Sequence, residues 1–176
     1  RELIADDKGG LYVHGRGLTP GVSLRFAKCC SPIPGDRIVG VMRPAVGVEV
    51  HVIDCERLAA LDDEETLENW IDLRWAPEAQ SNAVSVGRVE ATVRNEPGVL
   101  AEIAGAVGEA GGNITDVRTL DRSKDFFSMS FGVEVFDARH LSNIVAALKT
   151  SDRVVTAQRA RSAAFPEAEP GETEDA

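Results

Sequence analysis

Residues 127–135 read Phe-Ser-Met-Ser-Phe-Gly-Val-Glu-Val, and this stretch decides how the second half of the chain folds. Every second residue is apolar, which is the period of a β-strand with one buried face. Directly after it, Asp137 is a good N-cap for a helix whose apolar residues share one face, namely Leu141, Ile144, Val145 and Leu148. The stretch therefore predicts a half-buried strand followed by a helix that covers it.

The pattern extends outward from this stretch in both directions. Residues 87–94 alternate as a strand does, with apolar Val89, Ala91 and Val93. A helical spacing follows and ends at Gly111-Gly112; its apolar residues are Leu100, Ile103, Ala104 and Val107. Residues 114–120 and 154–159 are two further β-prone runs. The order is βαββαβ, which the right-handed crossover rule folds into a ferredoxin-like sheet with both helices on one side.

The sequence divides into four parts, and the fold class predicted for the whole is α+β. Residues 1–76 hold short β-prone runs, one short helix and all three cysteines, and predict a small mixed α/β module. Residues 77–84 are a linker and residues 85–160 form the βαββαβ domain. Residues 161–176 are an acidic tail in which no core can form, so disorder is expected there.

Composition excludes some classes of protein. No apolar run approaches the roughly 18 residues that a membrane helix needs, and no signal peptide is evident. The first residue is Arg1, so we expect the chain to be an excerpt of a longer protein. An odd number of cysteines predicts a reducing, cytoplasmic setting. The net charge of −10 comes mostly from residues 61–84 and 161–176, so it argues only moderately against RNA.

Two loops of the βαββαβ domain have the chemistry of a small-molecule site. The first comprises Asn95, Glu96, Pro97, Gly98, Val99 and Leu100, where a strand meets a helix whose first-turn N–H groups can hold a carboxylate. The second contains Asn113 and Ile114, and an Asn side chain offers both a donor and an acceptor to a zwitterion. We expect the loops to meet across a side-by-side dimer. Alternatively, the first is only a helix entry and Asn113 only a turn residue.

A metal site is predicted in the first module, with zinc ligands Cys29, Cys30, His51 and Cys55. Adjacent side chains in extended backbone point to opposite faces, so Cys29 and Cys30 can reach one ion only through a tight bend. The alternative is a metal-free core of buried thiols.

These residues carry a family resemblance. Asn95–Leu100 and Gly112-Asn113-Ile114 closely resemble the two loops of the ACT domain, a module that typically binds amino acids. Ala27–Gly40 and His51–Cys55 resemble the cysteine-rich, zinc-finger-like (RIS-type) module that precedes the ACT domain in the RelA/SpoT homologues. Arg43-Pro44-Ala45 departs from the Gly-Arg pair that the family often carries before Val46-Gly47.

The resemblance implies a regulatory, amino-acid-sensing region that allosterically controls (p)ppGpp synthesis and hydrolysis by a parent enzyme in the stringent response. The implied partners are a second copy, the upstream catalytic domains of the parent, and a small amino acid. Apolar Val99, Leu100 and Ile114 favour valine, isoleucine or leucine. No catalytic residue is predicted, since none of the histidines is followed by Asp and no P-loop is present.

Two alternatives stay open at this level. One is a module that contacts the ribosome or ribosomal RNA, because RNA-recognition domains share this topology and Phe127 and Phe131 lie on a strand. Their alternation with serines fits a helix-covered core instead, and the RNA-recognition signature is missing. The other is a dimerisation element without a small-molecule ligand, since exposed sheet edges favour pairing.

Overall fold

The computed structural model describes residues 2–5, 12–15, 18, 22–60, 68–76 and 84–160. They form two sheets, and each sheet has its own core. We call residues up to 76 the N-terminal unit and residues 84–160 the C-terminal unit. The predicted linker, apart from residue 84, and the predicted acidic tail lie outside the described residues. None of the described helices combines the length and the hydropathy of a membrane span.

The N-terminal unit is a six-stranded sheet with one short helix. Its elements are β1 (Glu2–Ala5), β2 (Tyr12–Gly15), β3 (Leu24–Phe26), β4 (Ile38–Arg43), β5 (Gly47–Val52), α1 (Glu56–Ala59) and β6 (Trp70–Trp75). The strand order is β1-β2-β6-β4-β5-β3, and the β3–β5 pair is parallel while the other pairs are antiparallel. The predicted small mixed α/β module is confirmed.

The core of this sheet is built from apolar residues that alternate along its strands. One cluster consists of Val13, Leu18, Leu24, Ile38, Val48, Val50 and Leu73. A second and smaller cluster, made of Val39, Val41, Cys55 and Leu58, lies beside the cysteines. Gly40 allows the first cluster to pack closely, because a Cβ there would come within 2.8 Å of the side chains of Leu73 and Val48.

The C-terminal unit has the predicted order βαββαβ. Its elements are β7 (Ser85–Arg94), α2 (Val99–Glu109), β8 (Asn113–Arg122), β9 (Phe126–Val135), α3 (Ala138–Leu148) and β10 (Val154–Arg159). The sheet order is β10-β7-β9-β8, and every neighbouring pair is antiparallel. The ferredoxin-like prediction is therefore confirmed, with β9 in the centre and β8 at an edge.

The alternation of apolar residues along 127–135 produces the core of this unit. Residues 127, 129, 131, 133 and 135 of β9 are all buried, and the apolar faces of α2 and α3 cover them. Asp137 caps α3 as predicted, since its Oδ1 accepts a hydrogen bond from the His140 N–H at 2.7 Å. One core residue comes from the N-terminal unit: Ile33 is only 1% exposed and belongs to this cluster.

Candidate functional site

The structure brings the four predicted metal ligands together. Cys29 and Cys30 lie in the turn after β3, His51 lies in β5, and Cys55 precedes α1. Their four ligand atoms lie within 4.8 Å of one another. The bend that two adjacent cysteines require is present, because the Ser31 N–H donates to the Ala27 carbonyl at 3.0 Å and Ser31 adopts a φ of 44°.

Four of the six ligand–ligand distances within this Cys/His cluster match those of a tetrahedral metal site, and all six are within 4.8 Å. Zinc bonds of roughly 2.3 Å to sulfur and 2.0 Å to nitrogen place two sulfurs roughly 3.8 Å apart, and a sulfur and a nitrogen roughly 3.5 Å apart. The Cys29 Sγ lies 3.9 Å from the Cys30 Sγ and 3.6 Å from the Cys55 Sγ. The His51 Nδ1 lies 3.5 Å from the Cys29 Sγ and 3.8 Å from the Cys30 Sγ. The cluster can therefore hold a metal ion.

The electrostatic surroundings of the cluster also suit a cation. Burial raises the pKa of the Cys30 thiol and of the Cys29 thiol above the ordinary value. Burial lowers the pKa of His51, so its ring stays neutral and keeps a lone pair for coordination. Because three thiolates in one place repel one another, a dication at the centre would stabilise the charged form that burial disfavours.

Two groups outside the predicted ligand set lie against the ligands. The Val52 N–H donates to the Cys30 Sγ at 3.3 Å. The Glu49 Oε2 lies 3.7 Å from the His51 Nε2, on the ring nitrogen that faces away from the thiols. A carboxylate that accepts a hydrogen bond from the second nitrogen of a ligating histidine fixes the ring's tautomer, and Glu49 lies just beyond hydrogen-bond distance of that nitrogen. A Glu two residues before a candidate ligand on the same strand was the signal available in the sequence.

The first predicted small-molecule loop contains the N-terminus of α2. Gly98 is the N-cap, with a φ of 85°, and no side chain caps the first turn. Pro97 directly precedes the cap, because α2 begins at Val99. Glu96, Pro97, Gly98 and Leu100 are exposed. Val99 is 4% exposed and packs in the core, so only its backbone can face a ligand.

Side chains from other elements hold this loop in place. The Asn95 Nδ2 donates to the Ser123 carbonyl at 2.7 Å, which ties the loop to the β8–β9 turn. Arg153 donates to the Pro97 carbonyl at 3.2 Å and forms an ion pair with Glu96 at 3.5 Å. The loop is thus preorganised, at the end of the sheet where β7 ends and β9 begins.

The second predicted loop lies at the opposite end of the same sheet. Asn113 pairs with Glu134 near the end of β9 and donates to its Oε2 at 2.8 Å, whereas Arg94 pairs with Phe126 at the start of β9. At 3.3 Å per residue the two ends are roughly 26 Å apart. The single chain therefore does not bring Asn95 and Asn113 together.

Other residues considered for function have structural roles. Phe127 and Phe131 are 7% and 0% exposed and pack under the helices, so they cannot stack on RNA bases from the open sheet face. The His140 Nε2 lies 2.9 Å from the Ala110 carbonyl, and its Nδ1 accepts from the Phe136 N–H at 3.2 Å. The Nε2 contact thus joins the end of α2 to α3, and the Nδ1 contact holds the chain just before the start of α3.

Family models match residues in each of the two units. A family model of the RelA/SpoT RIS domain matches residues 13–76, and a model of the ACT domain matches residues 86–159. The crystal structure of the ACT domain from the GTP pyrophosphokinase of Chlorobium tepidum aligns with 44% of this chain and 100% of that one, at a TM-score of 0.39 and 15% identity.

Longer relatives carry both units. GTP pyrophosphokinase rsh of Brucella ovis is 38% identical over 144 residues, which are 82% of this chain and 19% of the relative. Bifunctional (p)ppGpp synthase/hydrolase RelA of Mycobacterium tuberculosis is 33% identical over 165 residues, which are 93% of this chain and 21% of the relative. The chain thus spans about a fifth of the length of these relatives. It belongs to the RelA/SpoT homologues and carries their RIS domain and their ACT domain, a regulatory region.

Proposed function

We propose that the ACT domain binds a branched-chain amino acid between two copies of the chain and thereby controls (p)ppGpp synthesis and hydrolysis by the parent enzyme. The observation that supports this is the position of the two loops relative to the β8 edge. Asn113 begins β8, and the Ser123 carbonyl that binds Asn95 directly follows its end. A twofold antiparallel pairing of two β8 strands would place Asn113 of one copy beside Asn95 of the other.

Such a composite site would supply each part of a free amino acid with a partner. The first-turn N–H groups of α2 suit the carboxylate, because a helix N-terminus favours an anion. The side chains of Glu96 and Asn113 offer oxygen acceptors for the ammonium group. Leu100 is 50% exposed and Ile114 is half-buried, so they offer apolar surface to a branched side chain. Regulation follows only if the ligand binds two states of the parent with different affinity.

Calorimetry on the chain would test amino-acid binding, with valine, isoleucine and leucine as ligands and aspartate as the control ligand. We expect heat from at least one of the three apolar ligands. Asn113→Ala should weaken that binding about tenfold or more, because a hydrogen bond to a charged group is lost. Asn143→Ala, an exposed position on α3, is the matched control. No heat from any branched-chain ligand on a dimeric sample would contradict the proposal.

We also propose that the Cys/His cluster of the RIS domain binds one zinc ion as a structural site. The tetrahedral distances among Cys29, Cys30, Cys55 and His51 support this. When bound, zinc would join the turn after β3, the strand β5 and the start of α1 at one point, in addition to the backbone hydrogen bonds that already connect these segments.

Elemental analysis of the purified chain would test the zinc site, and we expect one zinc per chain. Cobalt substitution should give the visible absorption of a tetrahedral thiolate site, and Cys55→Ser should change that spectrum. A wild-type chain that is folded, free of zinc and unresponsive to cobalt would refute the zinc site.

A further inference from the structure

The two domains are joined by the segment Ser31-Pro32-Ile33-Pro34-Gly35-Asp36, which we call the 31–36 loop. It begins one residue after the metal ligand Cys30 and ends at the start of β4. Its shape is held from within, since Asp36 Oδ2 accepts from the Ile33 N–H at 2.9 Å and the Asp36 N–H donates to the Ile33 carbonyl at 3.1 Å. Two prolines fix φ in this short segment and leave it few other conformations.

Three kinds of contact attach this loop to the ACT domain. Ile33 is 1% exposed and belongs to the buried core cluster of the ACT domain. The Pro34 carbonyl accepts the N–H of Ala138, the first residue of α3, at 2.8 Å. Arg159, at the end of β10, donates to both carboxylate oxygens of Asp36, at 2.6 and 2.7 Å, and the Asp36 side chain is only 7% exposed.

The attachment reaches back to the metal ligands. Arg159 also donates to the Ser31 carbonyl at 3.2 Å, one residue from Cys30. On the RIS side, the Trp75 indole N–H donates to the Asp36 carbonyl at 3.0 Å, which ties the same loop to β6. A displacement of Cys30 would therefore be transmitted through a stiff segment to the first turn of α3 and the end of β10.

We propose that the 31–36 loop couples the Cys/His cluster to the ACT domain, so that metal binding in the RIS domain stabilises the start of α3 and the end of β10. This inference rests on the metal site proposed above. The coupling is reciprocal by thermodynamic linkage, so contacts made by the ACT domain raise the affinity of the cluster for metal.

Hydrogen exchange on the intact chain tests whether metal binding stabilises the start of α3. The chain would be compared with zinc bound and after removal of zinc with a chelator. We expect metal removal to speed exchange of the Ala138 amide about tenfold or more, because its acceptor lies on the loop. Faster exchange confined to the RIS domain, with Ala138 unchanged, would overturn the coupling while leaving the zinc site intact.

Competition with a chromophoric chelator measures zinc affinity and tests whether contacts with the ACT domain raise it. Arg159→Gln and Asp36→Asn lie outside the ligand set, and we expect each to weaken zinc binding several-fold. Arg139→Gln, at an exposed position in the first turn of α3, is the matched control. Wild-type affinity in both loop variants would overturn the proposal. Failure of the wild-type chain to bind zinc at all would instead refute the metal site on which it rests.

Discussion

At the scale of single residues, the neighbouring groups that contact a side chain decide what that side chain can do. Glu49 contacts both the Arg43 guanidinium at 3.0 Å and the imidazole of His51 at 3.7 Å. Arg88 holds Asp116 on the open face of the ACT sheet through two hydrogen bonds of 2.9 and 2.7 Å. A conservative substitution of Glu49 or Asp116 should therefore change metal binding or stability without removing a predicted metal ligand.

Glu49→Gln should lower zinc affinity about tenfold, because outer-shell carboxylates typically contribute factors of that order. The amide keeps the size of the side chain and removes the charge that faces the His51 ring. Chelator competition would measure the change. Glu56→Gln, on the exposed first turn of α1, serves as control and should bind zinc as the wild type does.

The Arg88–Asp116 pair should make stability depend on acid pH. Hydrogen bonding by Arg88 lowers the pKa of the Asp116 carboxyl below its ordinary value. The pair's contribution is therefore fully present above the ordinary pKa of 3.8 and is lost as the pH falls through the lower folded pKa. Asp116→Asn should cost at most about 1 kcal/mol at neutral pH, since its side chain is 39% exposed.

Urea unfolding at several pH values would measure this effect. The difference between wild type and Asp116→Asn should shrink as the pH falls below 3.8. Asp121→Asn, also on β8 and exposed, is the control. A difference that stays constant down to acid pH would show that the ion pair is not its source.

At the scale of elements, sequence patterns predicted the ACT domain better than the RIS domain. β7, β9 and both ACT helices follow long periods of two or 3.6 residues, so their positions could be read directly. The strands β1 to β3 have four residues or fewer, and β2 and β3 also pair with the non-consecutive strands β6 and β5, so this pairing could not be read locally. Ile33 stands alone between two prolines, and no periodicity marks it as a core residue of another domain.

Asp137→Ala should destabilise the chain by about 1 kcal/mol, because the side chain caps α3 at 2.7 Å and Ala cannot. The midpoint of urea unfolding would measure it. Asp152→Ala, at an exposed turn position before β10, should have little effect. Equal losses from both substitutions would argue against a specific capping contribution.

At the scale of the whole molecule, the proposed dimer depends on one of two free sheet edges. β8 and β10 are the two edges of the ACT sheet, and each carries an exposed valine, Val117 at 50% and Val155 at 52%. The amino-acid site proposed above requires pairing through β8, because β8 begins at Asn113 and Ser123 directly follows its end.

Val117→Lys should therefore reduce dimerisation, because two twofold-related lysines would face each other across the paired strands. Sedimentation equilibrium would measure the association. Val155→Lys places the same charge on the β10 edge and should leave the dimer unchanged. If instead Val155→Lys reduced dimerisation and Val117→Lys did not, the interface would lie at β10. Asn95 and Asn113 would then not meet in the dimer.

The Cys/His cluster shows the limit of what the sequence can predict about the whole molecule. The ligand types and their spacing predicted the four members of the cluster, but whether Cys29 and Cys30 can face one centre depends on the turn at Ser31. That turn is held in part by the Arg159 contact to the Ser31 carbonyl, from a residue 128 positions away along the chain. A local pattern cannot contain such a contact.

The placement of the two tryptophans gives this protein intrinsic fluorescent reporters. Trp75 stacks on Phe26, with ring centroids 5.6 Å apart, and its indole bonds to the 31–36 loop. Trp70 packs against the apolar cluster that contains Cys55. The chain has two tryptophans in all, so its emission spectrum originates beside the loop and beside the thiols. Rearrangement at either place can therefore be followed by fluorescence in the unlabelled protein.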